Sequence, residues 1–199
     1  MRVWAVTGGI ATGKSSFCNL VRGWEGVTFF DCDACVHDLL TSSEVAAIIS
    51  PYFPGEQLLA DDGGVDRSRL RELVFSDQEK RQTLEGILHP MVRDRFDTTR
   101  IGVLAEGGVQ LLLADVPLLY EASFNIDQDL DIVVATSPAV QRQRLIERSG
   151  HSEEMVENMI GSQMPVAEKM GMADCVIWND GARESLAAQA ATLKNWYFS

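Results

Sequence analysis

Gly8-Gly9-Ile10-Ala11-Thr12-Gly13-Lys14-Ser15 is a complete G-x-x-x-x-G-K-[ST] loop, and the rest of the chain is best read outward from it. Glycines let a backbone wrap closely around a polyphosphate, with N–H groups pointing inward at the start of the helix that follows. In that arrangement Lys14 reaches the β- and γ-phosphates, and the Ser15 hydroxyl ligates Mg²⁺. The flanks fit. Val3-Trp4-Ala5-Val6 is a short apolar run stopped by glycines, as in a buried strand, and Phe17, Leu20 and Val21 recur at helical spacing over 14–22. A chance glycine-rich turn has no reason to fall between such a strand and such a helix. Lys14 is expected to be a solvated loop side chain. The loop alone does not separate GTPases, ATPases, small-molecule kinases and nucleotide switches.

Beyond the loop, Val27 to Phe30 predicts a second strand ending at Asp31, and three more follow at Gln110 to Val116, Leu130 to Ala135 and Cys175 to Trp178. Runs this apolar suit strands covered on both faces, as in a parallel sheet. Leu84, Ile87, Leu88, Val92 and Phe96 share one helical face, and Leu186, Ala190, Leu193 and Tyr197 share another. Strand and helix alternate at both ends of the chain, which predicts an α/β layered fold. The stretch from about 61 to 100 has no strand pattern and holds eight of the 17 basic residues. It reads as a helical insertion between the second and third strands of a single domain.

The 29 acids and 17 bases among 199 residues leave a net charge of -12. Such a body repels nucleic acid and anionic membranes, so neither is an expected partner, and any anionic ligand needs a local basic site. Four cysteines, Cys18, Cys32, Cys35 and Cys175, are too few for a disulfide scaffold and sit in apolar or helical stretches that fit a reducing compartment. No signal-peptide pattern is expected, since Gly8-Gly9 cuts off the first apolar run. The longest such run, Leu111 to Ala114, is far below the eighteen or so residues that span a bilayer. A soluble cytoplasmic protein is expected.

Asp31-Cys32-Asp33 falls at the C-terminal end of the second strand, the side on which open α/β sheets bind ligands. An acid there can orient an acceptor hydroxyl and take its proton; alternatively Asp33 is the N-cap of the helix running to Leu40. Arg144 and Arg148, four apart on a helix, share a face and with Arg142 form a guanidinium patch suited to a migrating phosphoryl group, or else a charged exterior. Cys32 and Cys35 with His37 lack the second ligand pair that a zinc knuckle needs, and read as incidental cysteines. Met155, Met159, Met164, Met170 and Met172 read as core or lid packing.

In order, Thr7-Gly8-Gly9-Ile10 with Gly13-Lys14-Ser15, Asp31 and Asp33, Asp66-Arg67 with Leu70 and Val74-Phe75, and Leu88-His89-Pro90 make a series of short blocks. It continues with Pro117-Leu118-Leu119 and Glu121, Gln141 with Arg144 and Arg148, then Gln163, Lys169, Ala173-Asp174 and Asn179. The series resembles the dephospho-coenzyme A kinase family over nearly the whole chain, and is far more specific than the loop alone. The resemblance implies a P-loop kinase fold with five parallel strands in order 2-3-1-4-5. It implies ATP on Gly9, Ile10, Ala11, Thr12, Gly13, Lys14, Ser15 and Ser16, with Arg144 and Asn179, and Mg²⁺ at Ser15. The acceptor is then the ribose 3′-hydroxyl of dephospho-CoA, with Asp33 as base, Lys14 and Arg144 as its catalytic companions, and Arg67, His89, Leu118 and Arg148 on the acceptor side. Residues 61–100 correspond to the CoA-binding region and about 140–165 to an arginine-bearing lid, in a monomer or weak homo-oligomer. Ala11 and Thr12 depart from the family's more usual Gly-Ser, Ser16 from a common Thr, and Ser149-Gly150-His151 lacks an acid often found after the lid arginine. A different small-molecule kinase on the same fold remains an alternative. A guanine-reading switch would need N-K-x-D, and Asn179-Asp180 lacks the Lys.

Overall fold

The computed structural model describes residues 1–75 and 77–198, with Phe75 described in its backbone alone. The five apolar runs become β1 (Arg2–Gly8), β2 (Val27–Asp31), β3 (Leu111–Asp115), β4 (Leu130–Ala135) and β5 (Cys175–Trp178). They lie in the order β2-β3-β1-β4-β5, with β1 parallel to β3 and β4, and β4 parallel to β5. The helices are α1 (Lys14–Val21), α2 (Cys32–Leu40), α3 (Ser43–Ile49), α4 (Arg67–Phe75), α5 (Gln78–Glu106), α6 (Pro138–Ser149), α7 (Glu153–Gly161), α8 (Val166–Met172) and α9 (Arg183–Phe198). This is the α/β parallel-sheet architecture and strand order that the resemblance implies.

Two compact units are present: Met1–Phe30 with Val103–Ser199, and Asp31–Gly102. In the first, alternation along the strands puts Trp4, Val6, Leu111, Leu113, Leu130, Ile132, Val134 and Ile177 on one face, against Phe17, Cys18 and Val21 of α1 and Leu186, Ala190 and Leu193 of α9. Trp4 is wholly buried and meets Tyr197 edge-on at 5.3 Å. Burying an aromatic ring of this size contributes about 4–6 kcal/mol gross. That packing fixes β1, and therefore the loop that leaves its end.

Coverage on both faces holds for the central strands and fails at the edges. β3 is buried at every position, whereas β2 is mostly half-buried and β5 exposes Val176 and Trp178. An edge strand has one neighbour, so its outer side chains lose half their cover. The β5 edge is blunted instead: Gln189 of α9 accepts from Trp178 N–H (3.0 Å) and donates to its carbonyl (2.8 Å), occupying groups that would otherwise template another strand.

In the second unit, Leu84, Leu88, Val92 and Phe96 form the buried stripe of α5, with Ile87 half-buried. The helix continues well past both ends of that stripe, through Pro90, to a length of about 43 Å. The Asp66 carboxylate accepts from Ser68 and Arg69 N–H at the start of α4, and Asp77 from Glu79 and Lys80 N–H at the start of α5.

Candidate active site

The loop between β1 and α1 is built to present donors. α1 has no side-chain cap and no acid in its first turn, and its N-cap Gly13 takes a left-handed conformation at φ 93°. Uncapped N–H groups and the positive end of the helix are thus available to an anion. A side chain at position 13 would collide with Asn179 Nδ2, so glycine is required there. The buried Asn179 donates that amide to the Thr12 carbonyl (2.8 Å), while Thr12 Oγ1 donates to Gly9 O (2.9 Å). Ala11 sits at φ 60°, a left-handed residue without glycine's freedom.

Lys14 is not a solvated side chain. It is 15% exposed, and its ammonium pairs with the carboxylate of Asp115, the last residue of β3. Asp115 belongs to no motif in the sequence; its one signal is an acid ending an otherwise apolar buried strand. A cavity of about 520 Å³ opens next to the loop, lined by Gly13, Ser16, Asn19, Arg144, Asn179 and Arg183 among others. Its volume is in the range of small-molecule sites, and two guanidiniums in a chain of charge -12 make it a local basic site. Gly13, Ser16, Arg144 and Asn179 therefore meet at one place.

α6 begins at the Ser137 cap, followed by Pro138, and ends at left-handed Gly150, so the sequence punctuates it at both ends. Arg144 is half-buried on this helix, but Arg148 is exposed and outside the cavity lining, and Arg142 pairs with Glu157 of α7. Of the three arginines Arg144 reaches the cavity, and Arg142 is engaged by Glu157. Asp180 holds α6 from β5's end, accepting from Ser137 N–H (2.7 Å) and Thr136 Oγ1; these bonds keep its carboxyl below the usual range.

Behind the loop, the wholly buried Lys169 of α8 pairs with Glu121 (2.7 Å), with its ammonium 3.4 Å from Gly8 O and 3.3 Å from Pro117 O. Leu118, half-buried, lies in the same turn after β3. Ile10 N–H donates to Gln163 Oε1 (2.8 Å), and Ile10 O accepts from Gln141 Nε2 (2.9 Å). The five methionines are not core: Met155 and Met172 are exposed and the other three half-buried.

Asp33, Arg67 and His89 belong to the second unit. The cap of α2 is Asp31, whose carboxylate accepts from Ala34 N–H (2.9 Å); Asp33 follows in the first turn, with its side chain exposed. The capping alternative for Asp33 therefore falls to its neighbour. Arg67 is exposed at the first position of α4, and half-buried His89 on α5 has its pKa lowered, chiefly by burial. None of the four cysteines is in a disulfide.

A family model described as dephospho-CoA kinase matches residues 2–185. Dephospho-CoA kinase of Geobacillus kaustophilus is 36% identical over 194 residues, covering 96% of this chain and 94% of that protein. The enzyme of Anaeromyxobacter dehalogenans is 41% identical over 196 residues, at 97% and 90% coverage. Among solved structures, TT1252 from Thermus thermophilus aligns at TM-score 0.79 and 31% identity over 98% of this chain and 97% of its own. Dephospho-CoA kinase from Campylobacter jejuni aligns at TM-score 0.63 and 24% identity over 98% and 97%, a likeness of fold. Full-length kinship at these identities agrees with a phosphate loop, an opposed Lys14–Asp115 pair and an arginine-lined cavity: the chain belongs to the dephospho-CoA kinase family and is a kinase.

Proposed function

We propose that this kinase transfers the γ-phosphoryl group of ATP to the ribose 3′-hydroxyl of dephospho-CoA, giving CoA and ADP. The observation that carries the reading is the uncapped, left-handed entry into α1 beside the Lys14–Asp115 pair, within a chain that matches the family from residue 2 to 185. The polyphosphate rests on the backbone of Gly9, Ile10, Ala11, Thr12 and Gly13, on Lys14, and on the hydroxyls of Ser15 and Ser16. Adenosine occupies the cavity beside Asn179 and Arg144. Ser15 and Asp115 offer one hydroxyl and one carboxylate, hard oxygen donors suited to Mg²⁺ when phosphate oxygens and water complete its shell. Bound there, Mg²⁺ supplies charge neutralisation across the phosphates. Asp115 would then hold the cation in place of the Lys14 ammonium, leaving Lys14 to face the phosphates.

Transfer passes through a loose transition state, so positioning and charge dominate. Lys14 and Arg144 balance charge on the migrating group. Asp33 aligns the 3′-hydroxyl and accepts its proton. Arg67, His89, Leu118 and Arg148 serve the acceptor, with the helical stretch 61–100 as its binding region and 140–165 as the lid. We read the enzyme as acting in the cytoplasm, as a monomer or weak homo-oligomer; no described helix is long and apolar enough to cross a membrane.

The site is tested by Asp33→Asn. Because Asp31 caps α2, the substitution removes a first-turn charge worth about 0.3–1 kcal/mol, and melting should hardly move. Loss of a proton acceptor should lower kcat by about a hundred- to ten-thousandfold, with little change in KM for ATP. A normal kcat would remove Asp33 from the chemistry.

A further inference from the structure

We propose that Gln141 and Gln163 are positioning residues that hold Arg144 over the phosphate loop by gripping both sides of one residue, Ile10. Gln141 Nε2 donates to the Ile10 carbonyl at 2.9 Å, and the Ile10 N–H donates to Gln163 Oε1 at 2.8 Å. Gln141 lies on α6, buried, three residues before Arg144 and on the same side of the helix. Gln163 lies just past α7, before Pro165 and the start of α8. The two bonds therefore fasten the opposite ends of the α6–α7 segment to a single peptide residue near the apex of the loop.

Their setting leaves little slack. A side chain at Gly9 would come within 2.9 Å of Gln141 Nε2 and 2.6 Å of Val166 Cγ2, so the loop packs tightly against α6 and against the start of α8, three residues beyond Gln163. Next to Gln163, Met164 N–H donates to Glu121 (3.1 Å), and Glu121 pairs with buried Lys169, whose ammonium reaches the Gly8 carbonyl at the loop's root. Arg144 itself ends at Gly13: its Nη1 would lie 3.9 Å from a Cβ built there. Displacement of a charge-balancing group by an ångström costs up to about a hundredfold in rate. An amide is the side chain that suits both tasks, since it donates at 141 and accepts at 163 without bringing charge to a phosphate site.

This inference rests on the reading of Arg144 as a transfer-stage residue, and the test separates the two. kcat and KM for ATP are measured by steady-state ADP release for Gln163→Leu, Arg144→Ala and the double variant. Gln163→Leu should lower kcat about tenfold with KM for ATP within about threefold, because the ground-state polyphosphate still rests on the loop and Lys14. Placed on Arg144→Ala, the same change should lower kcat by less than about twofold, since the group it positions is gone. Gln163→Glu keeps the acceptor and should reverse the pattern, with kcat retained and KM for ATP raised by the added charge. A silent Gln163→Leu, or a tenfold fall that persists without Arg144, overturns the proposal alone. Normal turnover in Arg144→Ala overturns the reading beneath it as well. Should Gln163→Leu not fold, Gln141→Leu enters the same cycle from the other end of the segment with the same expected pattern.

Discussion

Replacing Lys169 by Met keeps the length of a wholly buried side chain and removes its charge. At 2.7 Å from Glu121 and an effective dielectric constant of 20, the lost attraction is about 6 kcal/mol gross. Much of this is offset, because the native ammonium already gave up its hydration. Removing one partner of a buried pair costs about 3–5 kcal/mol, mostly through the charge left stranded. Here the stranded group is Glu121, whose Oε2 is buried without a hydrogen-bond partner but whose side chain keeps 18% exposure. Water can reach it in part, which favours the lower end, about 3 kcal/mol. For a chain of 199 residues that corresponds to a fall in Tm of about 6–12 °C. Urea unfolding followed by tryptophan fluorescence reports it directly, as Trp4 and Trp24 lie in the same unit. Adding Glu121→Leu to Lys169→Met should recover most of the loss by removing the uncompensated carboxylate. A single variant within about 1 kcal/mol of wild type, or a double variant no better than the single, would show that the Lys169–Glu121 pair does not hold this part of the fold.

Ala11→Gly should raise stability by about 0.5 kcal/mol, because relief of a left-handed residue outweighs the extra freedom of the unfolded chain. The same substitution at exposed Ala47 inside α3 should cost about 1 kcal/mol, so chemical denaturation of the pair tests the sign. Asp131 has its pKa raised, chiefly by burial, with Gln128's hydrogen bond opposing and the nearby Asp174 adding to the rise. The folded state therefore binds its proton more tightly than the unfolded chain, and wild-type stability should gain as pH falls from the folded pKa toward the ordinary Asp value. Asp131→Asn should melt higher than wild type at neutral pH, with the difference shrinking through that window; a variant that melts lower at every pH contradicts the assignment.

Local signals carried the fold because each strand and helix announces its burial through its own periodicity. Val3 to Val6 stopping at Gly8, or Ser137-Pro138 opening α6, needs no distant partner to be read. What stayed hidden depends on pairs separated by a hundred residues or more. Ile10 with Gln163, Thr12 with Asn179 and Lys14 with Asp115 are joined by the parallel crossovers, and nothing in either flank of such a pair signals the other. The spacing that puts Arg144 and Arg148 on one face of α6 says nothing of partners on other elements, and Glu157 of α7 claims Arg142. Asp31 and Asp33 sit two apart beside one helix start, so the choice of cap rested on backbone geometry that composition does not encode.

The identity of the acceptor defines this enzyme's reaction. Coupled ADP release is measured with ATP and, in separate reactions, dephospho-CoA, AMP, shikimate and pantetheine, with the product of each reaction located by ³¹P NMR and mass spectrometry. Rapid ADP release is expected with dephospho-CoA and with no other acceptor, one phosphate being added per molecule at the ribose 3′ position. Faster phosphorylation of AMP or shikimate, or a phosphate placed elsewhere on dephospho-CoA, would contradict it.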